Sequence, residues 1–145
     1  MKARPAPNSN QDGWITGYRQ FAALAKNDRE QRDWGIRYDP GEDVLVLRKE
    51  GYPGGVGYHV PNEPRIVFYL DPDTSELTGL DFAAFQTNLV KRDPSLVALY
   101  PSRRARLAGR FRWVRRHVPM PPARRLNRSA AERMERTFRL SDIGI

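Results

Sequence analysis

The sequence predicts an α+β fold, a three- to four-stranded antiparallel meander packed by helices, followed by an Arg-rich helical C-terminal extension. Three observations carry this expectation. Short apolar runs alternate with Pro, Gly and Asp turn signals between Tyr38 and Asp81; apolar residues at helical spacing flank that stretch; and positive charge gathers beyond Lys91. The expected boundaries are a flexible arm over 1–12, an α+β domain over 13–93 and a basic helical extension over 94–145.

The Pro/Asn/Ser-rich segment Met1 to Asp12 has no periodicity and reads as the arm. From Trp14 to Lys26, Ile15, Tyr18, Phe21, Ala22 and Ala25 recur every three or four residues, so they line one side of a first helix that Asn27 and Asp28 end. The run Tyr38-Asp39-Pro40-Gly41-Glu42-Asp43 favours a tight turn. Val44 to Arg48 follows as a mostly apolar strand, either buried on both faces or central. Gly51 to Gly57 reads as a hairpin loop into a weaker strand over Val56 to Val60, which Pro61 ends. Arg65 to Leu70 is the best strand in the chain, and a turn at Asp71-Pro72-Asp73-Thr74 returns it through Glu76 to Leu80.

Helical spacing resumes with Phe82, Phe85, Leu89 and Val90, with Asp81 as its expected N-cap and a stop near Asp93-Pro94. Ser95 to Tyr100 reads as a short apolar helical turn. A longer helix is expected from Ser102 to Val118, with Leu107, Phe111, Val114 and Val118 forming its buried seam, and Pro119-Met120-Pro121-Pro122 breaking it. Ser129-Ala130-Ala131-Glu132 has capping-box form, with Met134 and Phe138 one turn apart on the last helix.

Composition narrows the chemistry. The 145 residues contain no cysteine, which excludes disulfides, thiolate metal sites and thiol nucleophiles. No apolar run approaches the ~20 residues of a membrane span, so no membrane partner and a cytoplasmic location are expected. Charge is divided along the chain: 10 Lys+Arg oppose 13 Asp+Glu up to Val90, whereas 15 oppose 4 from Lys91 onward. Ten arginines and no carboxylate fall between Pro101 and Arg128. A polyanionic partner follows from that excess.

The candidate nucleic-acid-binding residues are Arg103, Arg104, Arg106, Arg110, Arg112, Trp113, Arg115, Arg116, Arg124, Arg125 and Arg128. Arginine presents forked donors that match phosphate oxygens and a plane that stacks on bases, and an exposed Trp113 adds a stacking platform. An acidic protein surface and a merely solvated face are the competing accounts. The Pro119 to Pro122 run with Arg124, Arg125 and Arg128 reads either as a stiff basic strap or as a linker.

Other patterns do not build a site. Asp71, Asp73, Glu76 and Asp81 fall close together, but a calcium loop opened at Asp71 would need Gly where Glu76 stands and Glu where Phe82 stands. Solvated turn carboxylates account for all four, and no metal or cofactor is expected. The glycines from Gly51 to Gly57 lack the Gly-Lys-Ser/Thr helix start of a phosphate loop. His59 and His117 have no triad-like partners, and His117 is placed to serve a helix C-terminus. Trp14, Trp34, Tyr52 and Tyr58 are expected in the core, with a partner-binding role as the alternative.

The stretches Ile36 to Leu47, Val67 to Asp71 and Leu77 to Phe82 together resemble a family of small prokaryotic β-meander domains of uncharacterised function. Its members open with a Tyr-Asp turn and close with a strand of the form Val-Gly-Ile/Leu-Glu/Asp-apolar. The resemblance covers about residues 36–82 and leaves out the arginine-rich extension. Some members look like partners in toxin–antitoxin-style gene pairs.

The functional expectation is a non-catalytic accessory subunit of a nucleoprotein complex. It would contact RNA or DNA backbone through the arginine-rich helix and a protein through the meander half. The alternative is an antitoxin-like or inhibitor protein whose basic C-terminal region binds an acidic protein partner. A metal-dependent nuclease using Asp71 or Asp73 is a third reading.

Overall fold

The computed structural model describes residues 13–52, 54–61, 63–111 and 123–140. Helix α1 (Gly13–Leu24) and the short α2 (Asp28–Gln31) precede strands β1 (Trp34–Asp39), β2 (Val44–Lys49), β3 (Val56–Val60), β4 (Glu63–Leu70) and β5 (Leu77–Ala83). A π-helical segment (Phe85–Val90), a 3-10 helix (Pro94–Leu99), helix α3 (Arg103–Arg110), a two-residue strand β6 (Arg124–Arg125) and helix α4 (Arg128–Leu140) follow.

The fold is α+β, but the sheet has six strands in the order β3-β4-β5-β2-β1-β6, all antiparallel. Two strands exceed the expectation. In β1 the buried Trp34, Ile36 and Tyr38 alternate with Gly35, Arg37 and Asp39, the period of a sheet with one covered face. Strand β6 exists through its pairing with Gly35 and Ile36, a long-range contact with no local signal.

The topology also departs from a meander. Strands β2 and β3 are not neighbours, so the Gly51 to Gly57 segment is a crossover rather than a hairpin loop. It crosses because β5 occupies the place beside β2, setting Leu45 opposite Phe82 and Leu47 opposite Leu80. The β3-β4-β5 meander thus returns to β2 in Greek-key order.

One face of the sheet carries the core. Leu45, Leu47, Ile66, Phe68, Leu80 and Phe82 are fully buried in one core with Phe21 of α1, a helix that packs on β3, β4 and β5. Trp14 and Trp34 join that core, as expected, and Tyr58 packs against it half-buried. Ala130, Ala131 and Met134 of α4 belong to the same core, and the Tyr18 hydroxyl donates to Glu135 Oε2 at 2.7 Å, tying α1 to α4. Residues beyond Asp93 therefore share the core of the α+β unit. The side chain of Phe138 lies outside the described residues.

Two expected caps are replaced. Asp81 lies within β5, so it cannot cap a helix; the helical segment after it starts at Phe85 and is capped from a distance by Asp43. The Asp43 carboxylate accepts from the Gln86 and Thr87 backbone N–H groups at 2.9 and 3.1 Å and from the Thr87 hydroxyl at 2.9 Å. At the last helix, Asn127 rather than Ser129 does the capping: its Oδ1 accepts from the Ala130 N–H at 2.9 Å.

Candidate nucleic-acid interface

Helix α3 begins at Ser102, whose hydroxyl oxygen accepts from the Ala105 N–H at 3.1 Å. It ends at Phe111, where the backbone turns extended (φ −109°, ψ 111°). The helix is therefore shorter than the span expected from Ser102 to Val118. Its buried side is also different. Ala105, Ala108 and Gly109 face inward, while Leu107 and Phe111 are 53% and 45% exposed. The expected Leu107/Phe111 seam is overturned for a steric reason: the Tyr100 ring fills the space beneath the helix. A Cβ on Gly109 would fall 2.2 Å from the Tyr100 hydroxyl oxygen, so only small residues fit that side.

Tyr100 is itself held firmly. Its ring meets Tyr38 at 4.9 Å and Phe85 at 5.1 Å between centroids, both edge-on, and its hydroxyl donates to Gln86 Oε1. Gln86 donates its backbone N–H to Asp43, whose other oxygen holds Thr87; the Tyr38 hydroxyl donates to Asp43 at 2.6 Å. A polar and aromatic chain from Asp43 through Gln86 and Tyr100 thus seats α3.

With its small side turned inward, α3 presents Arg103, Arg104, Arg106 and Arg110 to solvent. None of the ion pairs among the described residues engages these four. Arg110 lies 5.8 Å from the Phe111 ring centroid, an arginine beside an exposed aromatic face. Arg112, Trp113, Arg115 and Arg116 lie outside the described residues, as do His117 and the Pro119 to Pro122 run.

The remaining candidates fall elsewhere. Arg124 and Arg125 are exposed on β6 and line a groove of about 440 Å³ together with Arg32, Arg37 and Arg48. That groove centres on the Trp34/Lys49 end of the β1–β2 pair, whereas α3 is seated through the Asp43 end; a six-residue strand spans about 20 Å between them. Arg128 serves the fold: its Nε donates to Asp28 at 2.8 Å, it reaches the Lys26 carbonyl at 3.2 Å, and it stands 3.6 Å from Glu132. The Asp28 hydrogen bond and charge hold the Arg128 guanidinium above its ordinary range.

Arg32, Arg37 and Arg48 escaped the sequence reading. A signal existed for Arg37, because the alternation of Trp34, Ile36 and Tyr38 places it on the opposite, open face of a strand. Nothing local joins Arg32 or Arg48 to Arg124.

The acidic residues are more engaged than solvated turns would be. Asp71 does close its turn, accepting from the Asp73 and Thr74 N–H groups at 2.8 and 3.1 Å, and these bonds hold its carboxyl below the usual range. Glu76 instead pairs with Lys49 and accepts from the Tyr52 hydroxyl at 3.1 Å, and the Lys49 bond likewise lowers its carboxyl. Asp81 accepts from Arg48 at 2.8 Å and from the Tyr69 hydroxyl at 2.9 Å. Burial, then the Asp81 charge, pushes the Tyr69 phenol up. Among the described residues no three His, Asp or Glu side chains gather as a metal set, and no helix is long and apolar enough to cross a membrane.

In comparisons with family models, curated proteins and solved structures, nothing matches this chain. The residues alone therefore carry the functional argument.

Proposed function

We propose that this protein binds the phosphate backbone of nucleic acid through the solvent face of α3, as a non-catalytic accessory subunit of a nucleoprotein assembly. The observation that carries the reading is the set of four exposed arginines, Arg103, Arg104, Arg106 and Arg110, that no carboxylate among the described residues neutralises. Guanidinium groups in such an array bind phosphate oxygens through forked, charge-assisted hydrogen bonds. Backbone contacts of this kind position a strand and carry no sequence code, so low base preference is expected.

A second reading rests on Leu107 and Phe111, the large apolar side chains exposed beside these arginines. Arginine next to an exposed aromatic is a composition that protein interfaces favour. It fits an inhibitor- or antitoxin-like role against an acidic protein.

Charge reversal separates the two readings from a passive surface. Arg106→Glu with Arg110→Glu should lower affinity for 20-nucleotide single- and double-stranded probes at least about tenfold and leave the melting curve unchanged, because both side chains are solvent-exposed. Unchanged affinity in fluorescence anisotropy would refute the nucleic-acid reading. A complex with an acidic protein that persists at high salt and is lost in Phe111→Ser would establish the second.

A further inference from the structure

The open face of the sheet carries an ordered row that runs across all six strands. Register places Gly57 opposite Tyr69, Tyr69 opposite Gly79, Gly79 opposite Arg48, Arg48 opposite Gly35, and Gly35 opposite Arg125. Large side chains therefore alternate with glycines. Arg48 leans across Gly79, where a Cβ would fall 3.0 Å from its Nη1, and lays its guanidinium over the Tyr69 ring at 4.8 Å. Asp81 fixes that stack by accepting from Arg48 at 2.8 Å and from the Tyr69 hydroxyl at 2.9 Å. The Arg48 side chain is still 37% exposed.

Because Arg48 leans toward Tyr69, its side chain does not cover the next position in the row, Gly35. Among the described residues, Gly35 has only the Ala123 Cβ and the Arg124 carbonyl within 4 Å of where its own Cβ would be, both at 3.8 Å. It forms the floor of the 440 Å³ groove between Arg48 on one side and the Ala123 to Arg125 segment on the other, with exposed Arg37 two residues along β1 on the same face. Arg125 is oriented by donating to the Arg32 carbonyl. Asp33 and Glu50 also line the groove, and the arginines outnumber them. A groove of this volume is in the range that holds one small ligand group.

We infer that this groove seats one nucleoside phosphate unit. Its base stacks on the outer plane of Arg48, over Gly35, and its phosphate is held by Arg37 and Arg125, the arginines that share the face of Gly35. A planar guanidinium already backed by an aromatic ring is a stacking surface fixed before the ligand arrives, so little ordering entropy is lost on binding. The flanking arginines supply the charge that the phosphate needs. A nucleotide within a single strand and a free nucleotide offer the same chemistry. The proposal takes its ligand class from the function proposed above, but it concerns a different surface.

The test is binding of fluorescein-labelled single-stranded RNA and DNA decamers, with AMP and inorganic phosphate as competitors. It uses the full chain and two backgrounds: α3 neutralised by Arg→Gln at 103, 104, 106 and 110, and Gly35→Val, whose side chain plugs the groove floor. Gly35→Val and Arg48→Lys should each weaken decamer binding about 5- to 150-fold in the α3-neutralised background, the range set by one lost base stack. AMP should compete better than phosphate. AMP binding much weaker than the decamer assigns the site to a strand, and equal binding assigns it to a free nucleotide. Unchanged affinity in both variants overturns the inference, as does phosphate competing as well as AMP. If Gly35→Val fails to fold, Arg37→Gln on the exposed face of β1 replaces it: weaker decamer binding supports the groove, and unchanged binding overturns it. Loss of all binding on α3 neutralisation, with Gly35→Val silent, would refute the groove and leave the α3 reading standing. The reverse pattern would refute the α3 reading alone.

Discussion

Removing the Asp43 carboxylate should loosen the support of α3 as well as destabilise the fold. Four donors converge on that carboxylate: the Tyr38 hydroxyl at 2.6 Å, the Gln86 and Thr87 N–H groups and the Thr87 hydroxyl. Asp43 is 9% exposed and Tyr38 is fully buried, so water cannot readily replace what Asp43→Ala removes. Loss of a helix cap costs about 0.5–2 kcal/mol, and a buried hydroxyl deprived of its charged acceptor costs about 1–3 kcal/mol. Together these place Asp43→Ala at about 1.5–5 kcal/mol, large for a single substitution. Tyr38→Phe removes only one donor and should cost about 1 kcal/mol. Urea unfolding of the two single variants and the double variant measures both values and their coupling. A cost below about 1 kcal/mol for Asp43→Ala, or strict additivity with Tyr38→Phe, would refute the view that Asp43 organises this end of the molecule.

Two further outcomes follow from charge. If the four α3 arginines each contact a phosphate of a single strand, changing them all to Gln should flatten the slope of log affinity against log salt by about 2.8, and by about 3.6 on duplex. A slope that does not move would place the phosphates elsewhere. Glu76 is held below the usual carboxyl range chiefly by Lys49, so its contribution to stability is present above the ordinary glutamate pKa and is lost as pH falls through the depressed folded-state value. The difference in melting temperature between the protein and Glu76→Gln should therefore shrink as the solution is acidified; a gap that is constant with pH would show that the pair with Lys49 contributes nothing.

Local rules made much of this molecule legible without coordinates. Turn chemistry marked the Asp39 to Asp43 and Asp71 to Thr74 reversals, where Asp39 accepts from the Gly41 N–H at 3.0 Å and Asp71 from the Asp73 N–H. Periodicity marked α1, β2, β3 and β4, because each follows from side chains a few residues apart. Periodicity misled at α3 because it ranks positions by hydrophobicity, and the choice there was made by volume: the Tyr100 ring leaves no room for a side chain at Gly109, and the small side of Ala105, Ala108 and Gly109 packs inward while Leu107 is exposed.

The α+β class, the turns and the concentration of arginine beyond Lys91 follow from composition and short-range spacing alone. Tertiary structure decided how those arginines are divided. Arg103, Arg104, Arg106 and Arg110 face solvent on α3, Arg128 is engaged by Asp28, and Arg125 crosses to β1, where its row with Gly35, Arg48 and Tyr69 forms. That row depends on hydrogen-bond register between strands up to about 90 residues apart in the chain, and no rule confined to neighbouring residues encodes it.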